Sequence, residues 1–265
     1  MQMPKIMYGT AWKKSDTSQF VKLALNNGFK GIDTACQPKH YYEPGVGDAL
    51  ENFNREEIFL QTKFTSINGQ DPKNCPYDRN LPLEEQIVTS FETSLKNLRT
   101  HYIDSLILHG PLKNHKENMV LWRQFEKFAE RKQVRMLGVS NFYDVDEFIH
   151  LYEDAVIKPQ VIQNRFYSGT NYDKEIRQFC KENRIIYQSF WTLTANPHIL
   201  ENVNVRKAAE KRGVPATSLF FAYLSETGIV PLTGTKNVQH MKDDLSAMEL
   251  ILTDEEMSIF RRLVG

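Results

Sequence analysis

The sequence predicts an α/β fold closed into a (β/α)₈ TIM barrel, and three observations carry that prediction. Eight apolar runs of strand length recur along the chain. Amphipathic helical patterns separate them. No G-x-G-x-x-G follows the first run, as an open doubly wound dinucleotide-binding sheet, the alternative for such an alternation, would have it.

The expected strands are residues 5–9, 29–33, 57–62, 102–108, 134–139, 160–163, 184–190 and 229–232. Several are apolar on both parities, as parallel strands covered on both faces must be. Between them, SFETSLKNL from Ser90 spaces its apolar residues three and four apart. Ser15, Asp16 and Thr17 offer N-caps before the pattern that begins at Phe20, and Asp16 with Gln19 has capping-box spacing. Pro82 suits a first-turn position, and Gly28 and Gly213 stand where helices end. The longest expected loop, residues 66–82, holds three prolines.

A chain of 265 residues, 41% hydrophobic and 25% charged, suits one domain over residues 1–265 with a core that needs neither disulfides nor metal. Lys plus Arg and Asp plus Glu both number 33, so no global field argues for nucleic acid or an anionic membrane. Cys36, Cys75 and Cys180 are odd in number and far apart, which argues against a zinc site and for a reducing setting. The opening MQMPKIMYGTAW has no signal-peptide architecture, and no run approaches the ~20 apolar residues of a membrane span. A cytoplasmic protein without an indicated protein partner is expected.

A barrel enzyme places its chemistry at the C-terminal ends of its strands. Strand two ends at Asp33, strand three leads into Lys63, and strand four ends at His109. Strand five runs into Ser140 and Asn141, and strand six ends at Gln163. Singly, these could be a helix cap, a solvated rim charge or a core histidine. On one rim they bring an acid, an amine and an imidazole together, and Asp33 can hold a buried lysine protonated.

Seven segments in order resemble the aldo-keto reductase family: GTAW, GIDTA, TKF, LHGP, GVSNF, QNRFY and PLTGTK. GQDPKNCPYD and YQSFWTLTANP look like a subgroup with a long third loop and a short C-terminal tail. The resemblance implies Asp33, Lys63 and His109 as three catalytic residues, with a tyrosine as general acid. In DTACQPKHYYEPGVG the spacing departs from the commonest family pattern, so Tyr41 and Tyr42 both stand as candidates, and the HY-x-E-x-x-VG context favours Tyr41. A lysine ammonium beside the tyrosine is expected to lower its pKa.

The resemblance also implies a nicotinamide cofactor, NADP(H) ahead of NAD(H). Ser140, Asn141 and Gln163 match carboxamide-binding positions, and Phe190 matches the aromatic that stacks on the ring. Thr10 matches a cofactor position in GTAW. Gly234, Thr235, Lys236, His240 and Asp244 fall in the segment that meets the adenosine phosphates. Trp12, Tyr42, Tyr77 and Trp191 are the expected linings of an open pocket for small carbonyl substrates, walled by the loop after Lys63. A cofactor-binding regulatory protein with little turnover is the alternative.

Overall fold

The computed structural model describes residues 2–265. Eight parallel strands close on themselves in sequence order: β1 (Met7–Gly9), β2 (Gly31–Asp33), β3 (Phe59–Phe64), β4 (Ile103–Leu108), β5 (Val134–Ser140), β6 (Val161–Arg165), β7 (Ile186–Phe190) and β8 (Ile229–Thr233). The last strand pairs with the first through Met7↔Leu232 and Tyr8↔Thr233. All eight expected strands are present. The main shifts are of two residues: β3 and β6 run further, β3 so as to include Lys63, and β1, β2, β3 and β7 begin later.

Outside the barrel lie α1 (Thr17–Asn26), α2 (Glu43–Leu50), α3 (Leu83–Leu98), α4 (His115–Glu130), α5 (Val145–Asp154), α6 (Lys174–Asn183) and the short α7 (Pro197–Leu200). They are followed by α8 (Val203–Arg212), α9 (Ala216–Glu226), α10 (Val238–Ala247) and α11 (Asp254–Val264). Helix α4 shows why such segments form. Asn114 accepts from Glu117 N at its start, and Leu121, Trp122, Phe125 and Phe128 line its buried face. Helix α11 opens with a full capping box between Thr253 and Glu256.

Two expected helix starts differ. A 3₁₀ turn over Lys14–Asp16 precedes α1, so Asp16 is the N-cap but makes no side-chain cap bond. Its carboxylate takes the Ser15 hydroxyl instead, and no capping box with Gln19 forms. Pro82 sits one position earlier than expected, as the N-cap of α3. Gly28 and Gly213 end their helices at φ 109° and 67°, a conformation that costs glycine little.

Among the described residues, no helix is long and apolar enough to cross a membrane. The strands leave little slack where β5 passes between β4 and β6. A Cβ at Gly138 would lie 2.6 Å from Val161 O and 2.5 Å from Ile107 Cδ1. The carbonyl belongs to the ladder and cannot swing away. Gly138→Ala is expected to lower unfolding free energy by about 2–3 kcal/mol, read as a lower denaturant midpoint.

Candidate active site

The strands deliver their charged residues to one end of the barrel. Asp33 ends β2 and Lys63 stands one residue from the end of β3. Lys63 is 1% exposed and Asp33 2%, so neither charge is hydrated. Each is satisfied by the other: Lys63 Nζ donates to Asp33 Oδ1 at 2.6 Å and Oδ2 at 2.7 Å, and to Thr34 O at 2.8 Å. Burial pulls the Lys63 ammonium below the usual lysine range, and the Asp33 charge opposes that pull.

The tetrad expected from the sequence assembles around this pair. Lys63 Nζ lies 5.2 Å from the centre of the Tyr41 ring. Tyr41 meets His109 edge to face, with ring centres 5.9 Å apart. Tyr42 is 43% exposed and is absent from the lining of the main cleft; it borders a smaller cavity with Cys36 and Pro76, which Tyr41 also touches. Of the two adjacent tyrosines, only Tyr41 reaches the charged pair. The expected lowering of its pKa is not what the surroundings produce. Burial, and then the Asp33 charge, push the Tyr41 phenol well above its ordinary value. The Lys63 ammonium faces the ring, and its hydrogen bonds go to Asp33 and Thr34.

His109 accepts or donates at Nδ1 with Thr65 Oγ1, 2.7 Å away. Burial, followed by the charges of Lys63 and His40, pulls its pKa down to about 3. The ring is therefore neutral at physiological pH.

Above these groups opens a cleft of about 620 Å³, a volume suited to a small-molecule site. Its lining includes Asp33, Tyr41, His109, Ser140, Asn141, Gln163 and the half-buried Phe190. Trp12 and Trp191, both about half exposed, line it as well, and so do Gly234 and Thr235. Asn141 adopts φ 58°, which asparagine tolerates, and its Nδ2 donates to His109 O at 2.7 Å. Ser140 Oγ donates to Gln163 O at 2.6 Å.

Other expected site residues stand off the cleft. Thr10 is fully buried and donates to Asp33 O at 3.0 Å, so it braces the end of β2. Tyr77 is buried against Phe64 and donates to Thr65 O at 2.7 Å. The loop after Lys63 thus packs on the barrel rim, and residues 191–194 with Trp12 wall the cleft in its place. Asp244 is buried and accepts from Thr233 Oγ1 at 2.8 Å, and burial raises its pKa to about 6. Lys236 and His240 are exposed, beyond Gly234 and Thr235.

Lys13, beside the cleft, and His40, in its lining, are among the residues that no sequence pattern marks. Lys13 is 3% exposed, and its Nζ donates to Gly9 O at 2.8 Å and Gly234 O at 3.0 Å. It forms no salt bridge among the described residues, and burial with the nearby Lys236 charge lowers its pKa to about 8. His40 lines the cleft beside Tyr41 and packs against Trp12, ring centres 3.9 Å apart with the planes tilted by 39°.

The Aldo/keto reductase family profile matches residues 5–264. The chain belongs to this family. Its relatives include glyoxal reductase of Bacillus subtilis, 27% identical over 243 residues that make up 92% of this chain and 82% of that one. The 9,11-endoperoxide prostaglandin H2 reductase of Trypanosoma cruzi is 28% identical, covering 97% of this chain and 86% of its own. Among solved structures, the aldo-keto reductase MGS-M4 from a Medee basin deep-sea metagenome library superposes with a TM-score of 0.85 at 29% identity. That match covers 99% of this chain and 92% of MGS-M4. As a member of the family, the protein is an oxidoreductase of the class that uses nicotinamide cofactors.

The depressed pKa of His109 sets an expectation for the isolated protein. Its ring signals in a long-range ¹H–¹⁵N spectrum are expected to stay those of a neutral imidazole from about pH 5 to about pH 8. Titration of His109 near its ordinary value in that window would contradict the burial described for it.

Proposed function

We propose that the protein reduces small aldehydes or ketones to alcohols with a nicotinamide dinucleotide, NADP(H) in preference to NAD(H). What carries the reading is the meeting of Asp33, Lys63, Tyr41 and His109 beneath a cleft lined by Ser140, Asn141, Gln163 and Phe190. The groups present suit such a cofactor. Phe190 offers an aromatic face. Gln163 Oε1 is free of protein partners among the described residues, and Lys13 is a buried cation without a carboxylate. Lys13 and Lys236, close to Gly234, favour the dinucleotide with the additional phosphate.

A bound reduced nicotinamide would supply the hydride. The chain's own residues handle the oxygen. Neutral His109 can donate from Nε2 to a substrate carbonyl when Thr65 donates to Nδ1. Tyr41 then gives its proton to the alkoxide oxygen as general acid. Its raised pKa keeps the proton in place at neutral pH, and an alkoxide is basic enough to take it. Asp33 keeps Lys63 charged under the Tyr41 ring, which supports the phenolate as it forms.

The B. subtilis relative is named for glyoxal, so 2-oxoaldehydes are the first substrates to test. With NADPH and such an aldehyde, nicotinamide absorbance is expected to fall. Tyr41→Phe is expected to lower kcat by about 10²-fold or more, and Tyr42→Phe to leave it nearly unchanged. Loss of turnover in Tyr42→Phe alone would overturn the assignment. Tight cofactor binding without turnover on any carbonyl would favour a regulatory role.

Tyr41 and Lys13 also predict distinct pH profiles. Tyr41 stays protonated, so its own titration is expected to put no break in kcat from about pH 6 to about pH 9. Lys13 loses its charge as pH rises through about 8, so the NADPH dissociation constant is expected to increase above that pH. Lys13→Met is expected to weaken NADPH binding and to remove this rise.

A further inference from the structure

The barrel interior around the Asp33–Lys63 pair contains three glutamines. Gln61, Gln163 and Gln188 are each at most 3% exposed, where such barrels usually stack apolar side chains. Register explains their meeting: Asp33 pairs with Gln61 across β2 and β3, and Gln163 with Gln188 across β6 and β7.

Their orientations follow from one charge. An ionised carboxylate can only accept hydrogen bonds. Asp33 Oδ1 therefore takes the amide N–H groups of Gln61 at 2.7 Å and Gln163 at 3.1 Å. Each of these amides gives its second N–H to Gln188 Oε1, at 2.8 Å in both cases. Gln188 Oε1 is then full, and its own NH₂ turns to Gln61 Oε1 at 3.1 Å and Met3 Sδ at 3.2 Å.

Gln163 is left with no N–H for a ligand, and what it offers the cleft is its carbonyl oxygen. Asn141 likewise has no free N–H, because its two N–H groups go to His109 O and Ser140 Oγ, and its Oδ1 already accepts from the Tyr143 hydroxyl at 3.1 Å. This wall of the cleft presents acceptors.

We propose that Gln61 and Gln188 are positioning residues that lock the Gln163 amide with Oε1 toward the cleft. The site thereby selects a ligand that donates N–H, the carboxamide NH₂ of nicotinamide, over one that only accepts. The selection rests on the cofactor reading above; the lock itself is a property of the free protein.

Two measurements separate these. In cofactor-free protein labelled with ¹⁵N-glutamine, the side-chain NH₂ of Gln61, Gln163 and Gln188 should exchange with solvent far more slowly than those of exposed glutamines. Exchange at Gln163 should accelerate in Gln188→Met. Fast exchange of the Gln163 amide in the wild type would overturn the lock.

The second measurement compares dissociation constants for reduced NADP and two analogues. The 3-acetylpyridine analogue keeps a carbonyl but lacks the NH₂; the thionicotinamide analogue keeps the NH₂. Wild type should bind the acetylpyridine form about tenfold more weakly and the thionicotinamide form nearly as well as NADPH. In Gln188→Met the acetylpyridine penalty should shrink, because Gln163 can then turn an N–H outward. Should that variant not fold, Gln61→Met is expected to act in the same direction. Equal binding of the acetylpyridine form by wild type, an equal loss with thionicotinamide, or an unchanged penalty in the folded variant would each overturn the proposal. If wild type binds no dinucleotide, the cofactor reading fails, and amide exchange alone decides the lock.

Discussion

An ammonium and a carboxylate without solvent must satisfy each other, and the upper part of this barrel is arranged around that requirement. Two ions removed from water cost several kcal/mol each unless close geometry and further hydrogen bonds offset the loss. Here Lys63 Nζ has three acceptors, two on Asp33 and one on Thr34 O. Asp33 in turn has two amide donors besides the ammonium. Removing either ion would leave the other buried and uncompensated, so the pair holds the ends of β2 and β3 together as well as charging the site.

The same pair reinforces the protonation states that burial sets above it. Burial lowers His109, and the Lys63 charge lowers it further. Burial raises Tyr41, and the Asp33 charge raises it further. Tyr41 keeps its proton and stays a donor, while neutral His109 has one donor and one acceptor nitrogen, so Nε2 can donate when Nδ1 accepts from Thr65. In the site as it stands, Lys63 has its influence on Tyr41 through the ring face, where a cation is favourable.

Much of this was legible in the sequence because strand ends are legible. Asp33, Lys63 and His109 each close an apolar run, and a barrel brings such positions together. The Tyr41–Tyr42 choice was open because adjacent loop residues carry no periodicity; Tyr41 is the one that lies against Lys63 and His109, which is why the proposal takes it as the acid. Tyr77 misled because a long proline-rich loop reads alike whether it arches over a pocket or folds onto the rim. Its hydroxyl found Thr65 O, a tertiary partner that sequence spacing does not reveal. Lys13 looked like an ordinary lysine near a helix start, and only the carbonyls of Gly9 and Gly234 make it a buried one. Gln61 and Gln188 do have a sequence signal. Gln61 lies two residues before Lys63 and Gln188 two before Phe190, the parity that puts them on the same face.

The arrangement of the barrel rim requires Lys63 to be a charged ammonium held by Asp33 in the free protein. Direct ¹⁵N observation of its Nζ in lysine-labelled protein tests this. The predicted result at pH 7 is a protonated ammonium in slow exchange, coupled to a side chain in one conformation. A neutral amine at pH 7, or a rapidly exchanging ammonium averaged over several conformations, would contradict it.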